Sequence, residues 1–588
     1  MTGAISPLIN KAFIIFKKEV LNMGRNRIIA LVLCMLMTLS LLSACAKTQT
    51  PADSGASTPS SSPSAPADSG AVSSDEELIG GHTYKTGLPI TKDKVTLKAA
   101  MVLQPAHGKP EEMQIFKDME EKTNIHIDWT TFPSSNATEQ KNLLLASGDL
   151  PDIFYGTAII NENDVGKYAP EGVFIPLDDL IAEYAPNVTA AFEKSNAFKK
   201  ACTNPGDNKI YSIGRAAERE TQYNQDVLFI YKPWLDQLGL SVPTTTDEFR
   251  TVLEAFKTKD PNGNGKADEV PFSFTMGNKQ NDLHSLFGAF GRIDFTNVGG
   301  TAGHFIVEED GELVYTANQP EYKAAIEWLH GMFADGLFDQ EGLTSKDTKT
   351  LVALGNSEEV ILGSFIGFDQ GNYIPKERTQ DYIAIAPLKG PGGDQIWSRS
   401  GQNNGNITGN GFVITSSNKY PEASVRWIDQ FFEKETSIVT FLGPIGVCLE
   451  KRADGVYDYL PTPEGMSYTD FRFTNTPVHA PCAIFADEWG TVVEVMGEDV
   501  NKLDILHNIY AQYQTNTIPY IKYTPEEMSY LNSTGKDIDE YVDNRQATWI
   551  LNGGIDAEWD TYVAKLDQMG LSAYYDVVNG AYQRWIAD

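Results

Sequence analysis

Hydrophobic and polar positions alternate along the chain with two different periods from about residue 93 onward. Short apolar runs predict strands at 95–103, 125–129, 152–155 and 227–231. Amphipathic stretches predict helices at 110–122, 137–146, 233–238, 320–335 and 421–435, and a largely helical tail from 488. Strands that alternate with helices favour a parallel sheet built from βαβ units, so the predicted fold class is α/β.

The first 45 residues have the pattern of an export signal. Arg25 and Arg27 are followed by an uncharged apolar run over 28–41 and then by Leu42-Ser43-Ala44-Cys45. This order is typical of a secretory signal peptide, which we expect to occupy residues 1–44. The alternative, a membrane-spanning or buried helix, is disfavoured because the run is shorter than the roughly 20 residues that a bilayer requires.

The small residues before Cys45 resemble a bacterial lipobox, in which the cysteine is lipidated and becomes the mature N-terminus. A diacylated cysteine gives a stable two-chain anchor. We therefore expect a lipoprotein that is held at the extracellular face of the cell membrane through this lipid alone. Met23-Gly24-Arg25 resembles a natural start of the signal, so we expect translation to begin at Met23.

A low-complexity segment follows the signal. Residues 46–75 consist almost entirely of Ser, Ala, Pro, Thr, Gly and Asp. Such a composition cannot bury enough apolar surface to fold. We therefore expect a flexible linker over 45–92, whose low-complexity part spans roughly 30 Å on average, and a folded part that starts near residue 93.

The overall charge and the cysteine content exclude several classes of function. The chain has 47 Lys and Arg residues against 79 Asp and Glu, a formal net charge of −32. Such a surface repels nucleic acid, so we expect no nucleic-acid partner. Apart from Cys34 in the signal and the lipid site, only Cys202, Cys448 and Cys482 remain, which allow at most one disulfide and no cysteine-based zinc site.

Three segments carry a resemblance to a known family. Ser147–Ile153 reads SGDLPDI, Leu228–Leu240 reads LFIYKPWLDQLGL, and Gly411–Thr415 reads GFVIT shortly before Asn418–Ala423. In this order they resemble the extracellular solute-binding proteins of bacterial ABC importers. The chain is similar above all to the branch that includes alginate-oligosaccharide-binding proteins and the LipO-type lipoproteins of Gram-positive bacteria.

The resemblance implies two hinge-linked α/β lobes of the periplasmic-binding-protein-like fold, with ligand in the cleft between them. By analogy, lobe one takes 93–222 and 364–425, and lobe two takes 223–363 and 426–588. Crossing strands near 227–231 and 360–365 would allow hinge closure that buries the ligand. The implied function is capture of an oligosaccharide and its delivery to the transmembrane permease subunits of an ABC transporter.

One loop has oxygen-bearing residues at the spacing of an EF-hand. Position 12 of that loop would be Pro271 in place of Glu, so we expect Glu269 to supply the bidentate carboxylate, as the matching segment does in the alginate-binding relatives. Gly265 at position 6 permits the sharp turn. The predicted ligands of a structural Ca²⁺ are Asp260, Asn262, Asn264, the carbonyl of Lys266, Asp268 and Glu269. The alternative is a plain Asn-Gly turn.

Sugar sites need flat aromatic faces for ring C–H groups and planar polar side chains for hydroxyls. In α/β folds they lie beyond the carboxyl ends of strands. Trp397 and Arg399 are the first candidates, because neither fits a core pattern in the Gly- and Asn-rich loop 390–410. The further candidates are Gln104, His107, Tyr155, Phe368, Asp369 and Trp489, with Arg215 and Arg219 for a uronate carboxylate or neutral hydroxyls.

Two alternative functions stay open. A surface-tethered glycoside hydrolase needs two positioned carboxylates, and nothing selects such a pair among the 79 acidic residues. The sequence contains no Gly-x-Ser-x-Gly, no His-Glu-x-x-His and no P-loop. The other alternative is a peptide or lipid receptor on the same fold. The aromatic-rich loops and the resemblance favour a sugar receptor that is not an enzyme.

Overall fold

The elements expected from the hydrophobic pattern form where the sequence places them. The structure, a computed structural model, describes residues 78–587 apart from 224–225, 279, 296–301, 346, 401–405, 467, 478 and 519–520. The predicted signal peptide, Cys45 and the linker up to residue 77 lie outside the described residues. The four predicted strands are confirmed as Val95–Leu103, Ile125–Pro133, Ile153–Tyr155 and Val227–Tyr231.

The Thr246–Thr258 helix shows how local sequence fixes the start and the buried face of an element. The hydroxyl of Thr245 accepts the backbone N–H of Glu248 at 3.1 Å, and the Glu248 carboxylate in turn accepts the backbone N–H of Thr244 at 2.8 Å. Apolar residues recur at helical spacing and are buried: Phe249, Val252, Leu253 and Phe256. The cap sets where the helix begins, and burial of this apolar stripe holds the helix against the other elements of lobe two.

Lobe one is built on a six-stranded sheet. From one edge to the other its strands are Ala483–Ile484, Ile213–Ala217, Ile407–Ile414, Ile153–Tyr155, Val95–Leu103 and Ile125–Pro133. Ile407–Ile414 runs antiparallel to both of its neighbours, and the other pairings are parallel. Alternate residues of Val95–Leu103 join two separate apolar clusters, so both faces of the sheet are covered.

The helices of lobe one come from both halves of the chain. They are Gln114–Thr123, Ala137–Ser147, Glu162–Tyr168, Asp178–Tyr184, Pro186–Lys194, Asn196–Cys202, Pro421–Asp429, Lys434–Leu442 and Tyr468–Asn475. A small hairpin, Leu449–Lys451 with Tyr457–Tyr459, packs in an apolar cluster beside the edge strand of the sheet. Lobe one is therefore closed by segments that lie far apart in sequence.

Lobe two contains two smaller sheets. Val227–Tyr231 is the centre of an antiparallel sheet between Ser364–Gly367 and Tyr382–Ile385. The second sheet has the order Trp397–Ser400, Gln514–Ile518, Phe305–Val307 and Leu313–Tyr315. The helices are Lys232–Leu238, Thr246–Thr258, Pro320–Ala334, Lys349–Gly355, Gly497–Ile505, Pro525–Tyr530, Lys536–Asn552, Ile555–Met569 and Leu571–Ala587. None of the helices in the described ranges is long and apolar enough to cross a membrane.

The chain passes between the lobes three times, after Ala217, after Ser400 and after about residue 494. The second crossing predicted at 360–365 is wrong, because Ser364–Gly367 pairs with Val227–Tyr231 inside lobe two. Residues 364–400, predicted for lobe one, therefore belong to lobe two.

The boundary predicted at residue 426 is also wrong. Trp427 is fully buried in the apolar cluster of lobe one, and Ala483–Ile484 is an edge strand of the lobe-one sheet. The backbone N–H of Tyr457, in the lobe-one hairpin, also donates to the carbonyl of Val492, and Val493 is fully buried in the apolar cluster of that hairpin. Lobe one therefore continues to about residue 494, and lobe two resumes with the Gly497–Ile505 helix.

The folded part begins earlier than predicted. Leu78–Ile79 and Thr83–Tyr84 form a short hairpin, and Ile90 is fully buried. The guanidinium of Arg426 donates to the carbonyls of Tyr84 and Gly87. Residues 78–92 are thus part of lobe one and not of the linker.

Candidate functional site

Lobe one presents a polar edge at the carboxyl ends of its parallel strands. Two parallel strands end just before Gln104 and Thr157, which therefore leave the sheet on the same side. The backbone N–H of Gln104 donates to Nδ1 of His107 at 3.1 Å, and the backbone N–H of Thr157 donates to the carbonyl of His479 at 2.7 Å. The rings of His107 and His479 lie 6.0 Å apart between centroids. These four residues form what we call the lobe-one edge.

Both histidines of the lobe-one edge are neutral near pH 7. Burial, together with the positive charges of Arg215 and Arg472, lowers the pKa of His479 to about 4. Burial and the charge of Arg472 also lower the pKa of His107. A neutral imidazole has one donor and one acceptor, and Nε2 of His107 has no hydrogen-bond partner among the described residues. This edge therefore contains a hydrogen-bonding nitrogen that no described residue satisfies.

Lobe two presents a second edge beside the first crossing. The bridges Val270–Leu362 and Ser273–Phe365 are parallel, so the segments that follow them, 276–278, 280–282 and 368–370, leave on the same side. At this side Gly367 pairs with Val227, where the chain arrives from lobe one. We call 276–278, 280–282 and 368–370 the lobe-two edge. Its polar and aromatic side chains are Asn278, Gln280, Asn281, Asp282, Phe368, Asp369 and Gln370. Asn281 is fully buried and its side-chain amide donates to the carbonyl of Ile366 at 2.8 Å.

The Gly497–Ile505 helix lies against the lobe-two edge. The ammonium of Lys502 donates to the carbonyl of Phe368 at 2.7 Å and lies 4.7 Å from the centroid of its ring. The side-chain amide of Asn501 donates to the carboxylate of Asp369 at 3.0 Å. The other oxygen of that carboxylate accepts the N–H of Gly371 at 2.8 Å and so caps the following turn. Asp369 is therefore fully engaged within the protein.

Charged groups join the crossings to one another. Arg219 lies in the first crossing, just after the lobe-one strand Ile213–Ala217, and pairs with Asp499 at 3.0 Å. The hydroxyl of Thr221 donates to the same carboxylate at 3.1 Å. The guanidinium of Arg399, before the second crossing, lies 5.2 Å from the ring centroid of Tyr223. These contacts tie the first crossing to the Gly497–Ile505 helix, which lies against the lobe-two edge, and to Arg399 before the second crossing.

The expectation that Trp397 offers a face to a sugar is corrected by the structure. Trp397 is 1% exposed and begins the strand Trp397–Ser400, which was expected to be a loop. Its indole N–H donates to the carboxylate of Asp226 at 3.1 Å, and its ring packs on Tyr510 at 5.3 Å between centroids. Trp397 is a core residue of lobe two.

Tyr155 is likewise a core residue and not a surface for ligand. Its ring is 0% exposed and lies within 5.7 Å, between centroids, of four other aromatic rings. These rings belong to Phe116, Trp129, Trp427 and Phe431. The last residue of its strand points into the sheet face, and only the residues after it reach the edge.

The other predicted residues lie at the edges or at the crossings. Gln104 and His107 are on the lobe-one edge, and Phe368 and Asp369 are on the lobe-two edge. Arg399 is exposed, whereas Trp489, which packs on lobe one before the third crossing, is half-buried with an indole N–H that lacks a partner in the described part of the chain. Arg215 is buried and donates to Asn406 at 2.9 Å.

The sequence pattern did not indicate several residues that lie at or beside the two edges. His479, Asn501 and Lys502 are polar residues in stretches with no motif, and their positions depend on which distant segment packs beside them. Asn281 follows a buried extended segment of lobe two, and its position after that apolar run is the one signal that could have identified it.

A cavity of about 590 Å³ lies between the lobes on a different set of residues. Lobe one contributes the Glu162–Tyr168 helix, Ser212 and Asn410, and lobe two contributes residues from Lys522 to Asn532. Its lining shares no residue with the two edges. The cavity is therefore a separate feature of the lobe–lobe contact.

The predicted calcium loop folds with its oxygen-bearing side chains turned toward one another. The carboxylate of Asp260 accepts the backbone N–H groups of Asn264 and Gly265 at 3.1 and 3.0 Å. The side-chain amides of Asn262 and Asn264 approach the Asp268 carboxylate at 3.3 and 3.2 Å. Gly265 has a φ of 73°, a conformation that glycine adopts without strain.

The donor set of this loop fits a hard cation. Oε1 of Glu269 is buried and has no hydrogen-bond partner among the described residues. Burial, together with the nearby charges of Asp260 and Asp268, raises the pKa of Glu269. In the described part of the chain no three His, Cys, Asp or Glu side chains are already arranged to hold a metal. The loop instead combines carboxylates with amide and carbonyl oxygens, the ligands that Ca²⁺ accepts.

Two α/β lobes, joined by three crossings with a polar edge on each side, define the class of two-lobe ligand-binding proteins. Residues 107–436 match the family described as bacterial extracellular solute-binding protein. The chain belongs to this family.

Two bacterial proteins are similar to this chain over most of its length. The chain is 33% identical over 512 residues to the fructooligosaccharide ABC transporter substrate-binding protein FusA of Streptococcus pneumoniae, covering 84% of this chain and 92% of the relative. It is 26% identical to Lipoprotein LipO of Bacillus subtilis, over 65% of this chain and 73% of the relative.

Solved structures of FusA from S. pneumoniae are similar to this chain. The complex with kestose has a TM-score of 0.72, and an EF-hand mutant in complex with fructo-nystose has a TM-score of 0.73. Both are 32% identical, and each comparison covers 84% of this chain and 99% of the FusA chain. The two-lobe fold predicted from the sequence is thereby confirmed.

Proposed function

We propose that the protein is a receptor that captures an oligosaccharide between the lobe-one and lobe-two edges for import by an ABC transporter. The observation that carries the proposal is the placement of the two edges beside the crossings, because ligand held there contacts both lobes at once. The strands that lead into the lobe-one edge run in the same direction as Ile213–Ala217, after which the chain crosses, so this edge lies on the crossing side of its sheet. The similarity to FusA supports the ligand class. No bond of the ligand is changed in this function.

The chemistry of the edges suits a sugar. Neutral imidazoles and side-chain amides both donate to and accept from hydroxyl groups. The ring of Phe368 supplies an apolar surface for the C–H groups of a sugar ring. His107 adds an unpaired buried nitrogen that a ligand hydroxyl satisfies. Trp489 and Arg399 extend the same kind of surface at the crossings.

Within this class, a short neutral fructooligosaccharide is the proposed ligand. FusA binds kestose and fructo-nystose according to its solved complexes, and it covers most of this chain. The histidines of the lobe-one edge are uncharged near pH 7, so they give no charge-based preference for an acidic sugar.

Isothermal titration calorimetry tests the ligand class. Purified ectodomain is titrated with kestose and nystose, and with maltotriose and an oligogalacturonide for comparison. We expect saturable binding of the fructans and weaker or no binding of the others. Chromatography of each mixture after a long incubation should return intact sugar. Turnover products would indicate a glycoside hydrolase, and the absence of binding to every sugar would contradict the receptor proposal.

A structural Ca²⁺ in the Asp260–Glu269 loop is part of the proposal. The ion neutralises the convergent carboxylates of Asp260, Asp268 and Glu269, which otherwise repel one another. We expect EDTA to lower the thermal midpoint and added Ca²⁺ to restore it. The double variant Asp260→Ala plus Asp268→Ala should lose this response. A wild-type midpoint that ignores both EDTA and Ca²⁺ would contradict the assignment.

The proposed location is the outer face of the cell membrane, with a lipid on Cys45 as the anchor and ABC permease subunits as partners. The signal pattern before Cys45 and the similarity to a lipoprotein support this location. Mass spectrometry of the protein extracted from membranes should find a lipidated N-terminal cysteine. A Cys45→Ala variant should appear in the medium or retain its signal peptide.

A further inference from the structure

A buried lysine holds one segment of the lobe-two edge. Lys502 is 0% exposed, although it lies one residue from the exposed Asn501. Its ammonium donates to the carbonyl of Phe368 at 2.7 Å and lies 4.7 Å from the centroid of the same residue's ring. One cation therefore contacts both the backbone and the side chain of Phe368, which restricts the position of the ring.

The neighbouring residue holds the rest of the segment. The side-chain amide of Asn501 donates to the carboxylate of Asp369 and to the side-chain carbonyl of Gln370, both at 3.0 Å. Two consecutive residues of one helix thus bind three consecutive residues of the edge. Within the described contacts, these hydrogen bonds come from a segment more than a hundred positions away, so the edge loop is positioned by tertiary structure.

The supporting helix is itself tied to the first crossing. Asp499, one turn before Lys502, accepts hydrogen bonds from Arg219 and Thr221 of the segment that connects the lobes. The same helix therefore contacts the crossing through Asp499 and the lobe-two edge through Asn501 and Lys502. This arrangement sets the position of Phe368 relative to the place where the lobes meet.

We infer that Asn501 and Lys502 are positioning residues for ligand binding, which hold the ring of Phe368 ready to stack on the apolar face of a sugar ring. The inference rests on the proposed function. It adds a specificity element, because a fixed aromatic ring favours a ligand with a flat C–H face over an extended peptide. It assigns no direct ligand contact to Lys502, which is fully buried.

The charge of Lys502 is held among carboxylates. Burial lowers the pKa of Lys502, while the negative charges of Asp226, Asp369 and Asp499 favour its protonated form. Burial raises the pKa of Asp226, whose carboxylate accepts from Ser285 and Trp397. Alkaline pH therefore removes the cation beside Phe368 earlier than it would neutralise an exposed lysine. Sugar affinity should fall over the same pH range.

The test compares two variants with a matched control. Lys502→Met removes the donor and the charge, and Asn501→Ala removes the two amide hydrogen bonds. Lys141→Met is the control, since Lys141 is also buried and paired, with Asp164 at 2.5 Å, but lies in lobe one away from the edge. Hydrogen exchange of the peptide that contains residues 368–372 is measured in each protein without ligand. Affinity for kestose and nystose is measured from about pH 6 to about pH 10, the range below the ordinary lysine pKa in which a lysine with a lowered pKa titrates.

We expect faster exchange of the 368–372 peptide in Lys502→Met and Asn501→Ala but not in Lys141→Met. We expect a loss of fructan affinity of at least about tenfold in Lys502→Met. The Lys502→Arg variant keeps the positive charge and should retain part of the affinity. The alkaline fall in affinity should be present in wild type and absent in Lys502→Met. A merely structural role would change stability without removing this pH dependence.

Unchanged exchange of the 368–372 peptide in Lys502→Met overturns the inference, whether or not a sugar binds. Wild-type affinity and pH profile in Lys502→Met also overturn it, while the proposed function stands. If wild-type protein binds no sugar at all, the proposed function is overturned and the ligand half of this inference with it. The outcomes of the two proposals are therefore separable.

Discussion

Arg219 and Asp499 form an ion pair of 3.0 Å that joins the first crossing to the helix that follows the third. The side chains are 15% and 6% exposed, so water replaces neither partner easily when the other is lost. The carboxylate also accepts the hydroxyl of Thr221 at 3.1 Å. The pair therefore connects the first crossing to the chain just after the third crossing.

Removing one partner of this pair should destabilise the protein. Asp499→Ala leaves the Arg219 guanidinium without its carboxylate in a largely buried position, which we expect to lower the free energy of unfolding by about 3 kcal/mol. Urea unfolding gives this value from the midpoint and slope. The exposed pair of Asp347 and Lys349 is the control, and Asp347→Ala should change the free energy of unfolding far less. Equal effects of the two substitutions would show that the Arg219–Asp499 pair is not effectively buried.

The buried Trp397 and the half-buried Phe368 should respond in opposite ways to substitution. Trp397→Phe removes the indole N–H that the Asp226 carboxylate accepts, which should lower the free energy of unfolding by about 2 kcal/mol and leave sugar affinity unchanged. Phe368→Ala should change stability less and reduce sugar affinity at least about tenfold. Urea unfolding and calorimetric titration of both variants check this. Loss of affinity in Trp397→Phe with normal stability would restore Trp397 as a ligand contact.

The difference between these two residues also marks how far sequence reasoning reaches. The strand Val95–Leu103 and the Gln114–Thr123 helix are determined by local periodicity, and the sequence pattern predicts both. Trp397 sits in a Gly-rich stretch with no such pattern. It is buried because its strand pairs with Gln514–Ile518, a segment distant in sequence. No residue near Trp397 in the sequence indicates that strand pairing.

The same limit applies to the lobe boundaries and to the supporting residues. The predicted second crossing failed because Ser364–Gly367 is an apolar run that fits a crossing strand and an internal strand equally well. Lys502 reads as an ordinary lysine on a helix, and its burial follows from the packing of that helix on Phe368. Phe368 itself was found because it follows a strand, a rule that depends only on local order.

A buried network in lobe two should make stability depend on alkaline pH. Nδ1 of His284 lies 2.7 Å from the carboxylate of Asp282, and Nδ1 of His304 lies 3.0 Å from that of Asp294. Burial alone lowers the pKa of His284, but Asp282 and Asp294 outweigh it and raise the pKa to about 9. The pKa of His304 is raised as well, by Asp294 and Asp543 against burial.

Because the folded-state pKa of His284 is above its unfolded value, its protonation stabilises the folded state fully below about pH 6.5, the unfolded pKa. This contribution is lost as the pH rises through about 9. We expect the thermal midpoint of wild type to fall over that interval. His284→Gln, which cannot titrate, should have a lower midpoint at neutral pH and a flatter profile above it. Parallel profiles for the two proteins would exclude His284 as the source of the alkaline instability.

Lys522 should act as a direct bond between the lobes. It is 9% exposed, lines the cavity between them, and donates to the carbonyls of Ala201 and Thr203 in lobe one at 2.7 and 2.8 Å. Lys522→Met leaves both carbonyls without this donor, which should lower the free energy of unfolding by about 2 kcal/mol. Lys199 lies on the Asn196–Cys202 helix, as Ala201 does, but is exposed. Lys199→Met should therefore change the free energy of unfolding by less than about 0.5 kcal/mol. If urea unfolding finds Lys522→Met as stable as wild type, water entering from the cavity satisfies the two carbonyls and the lysine is not needed to join the lobes.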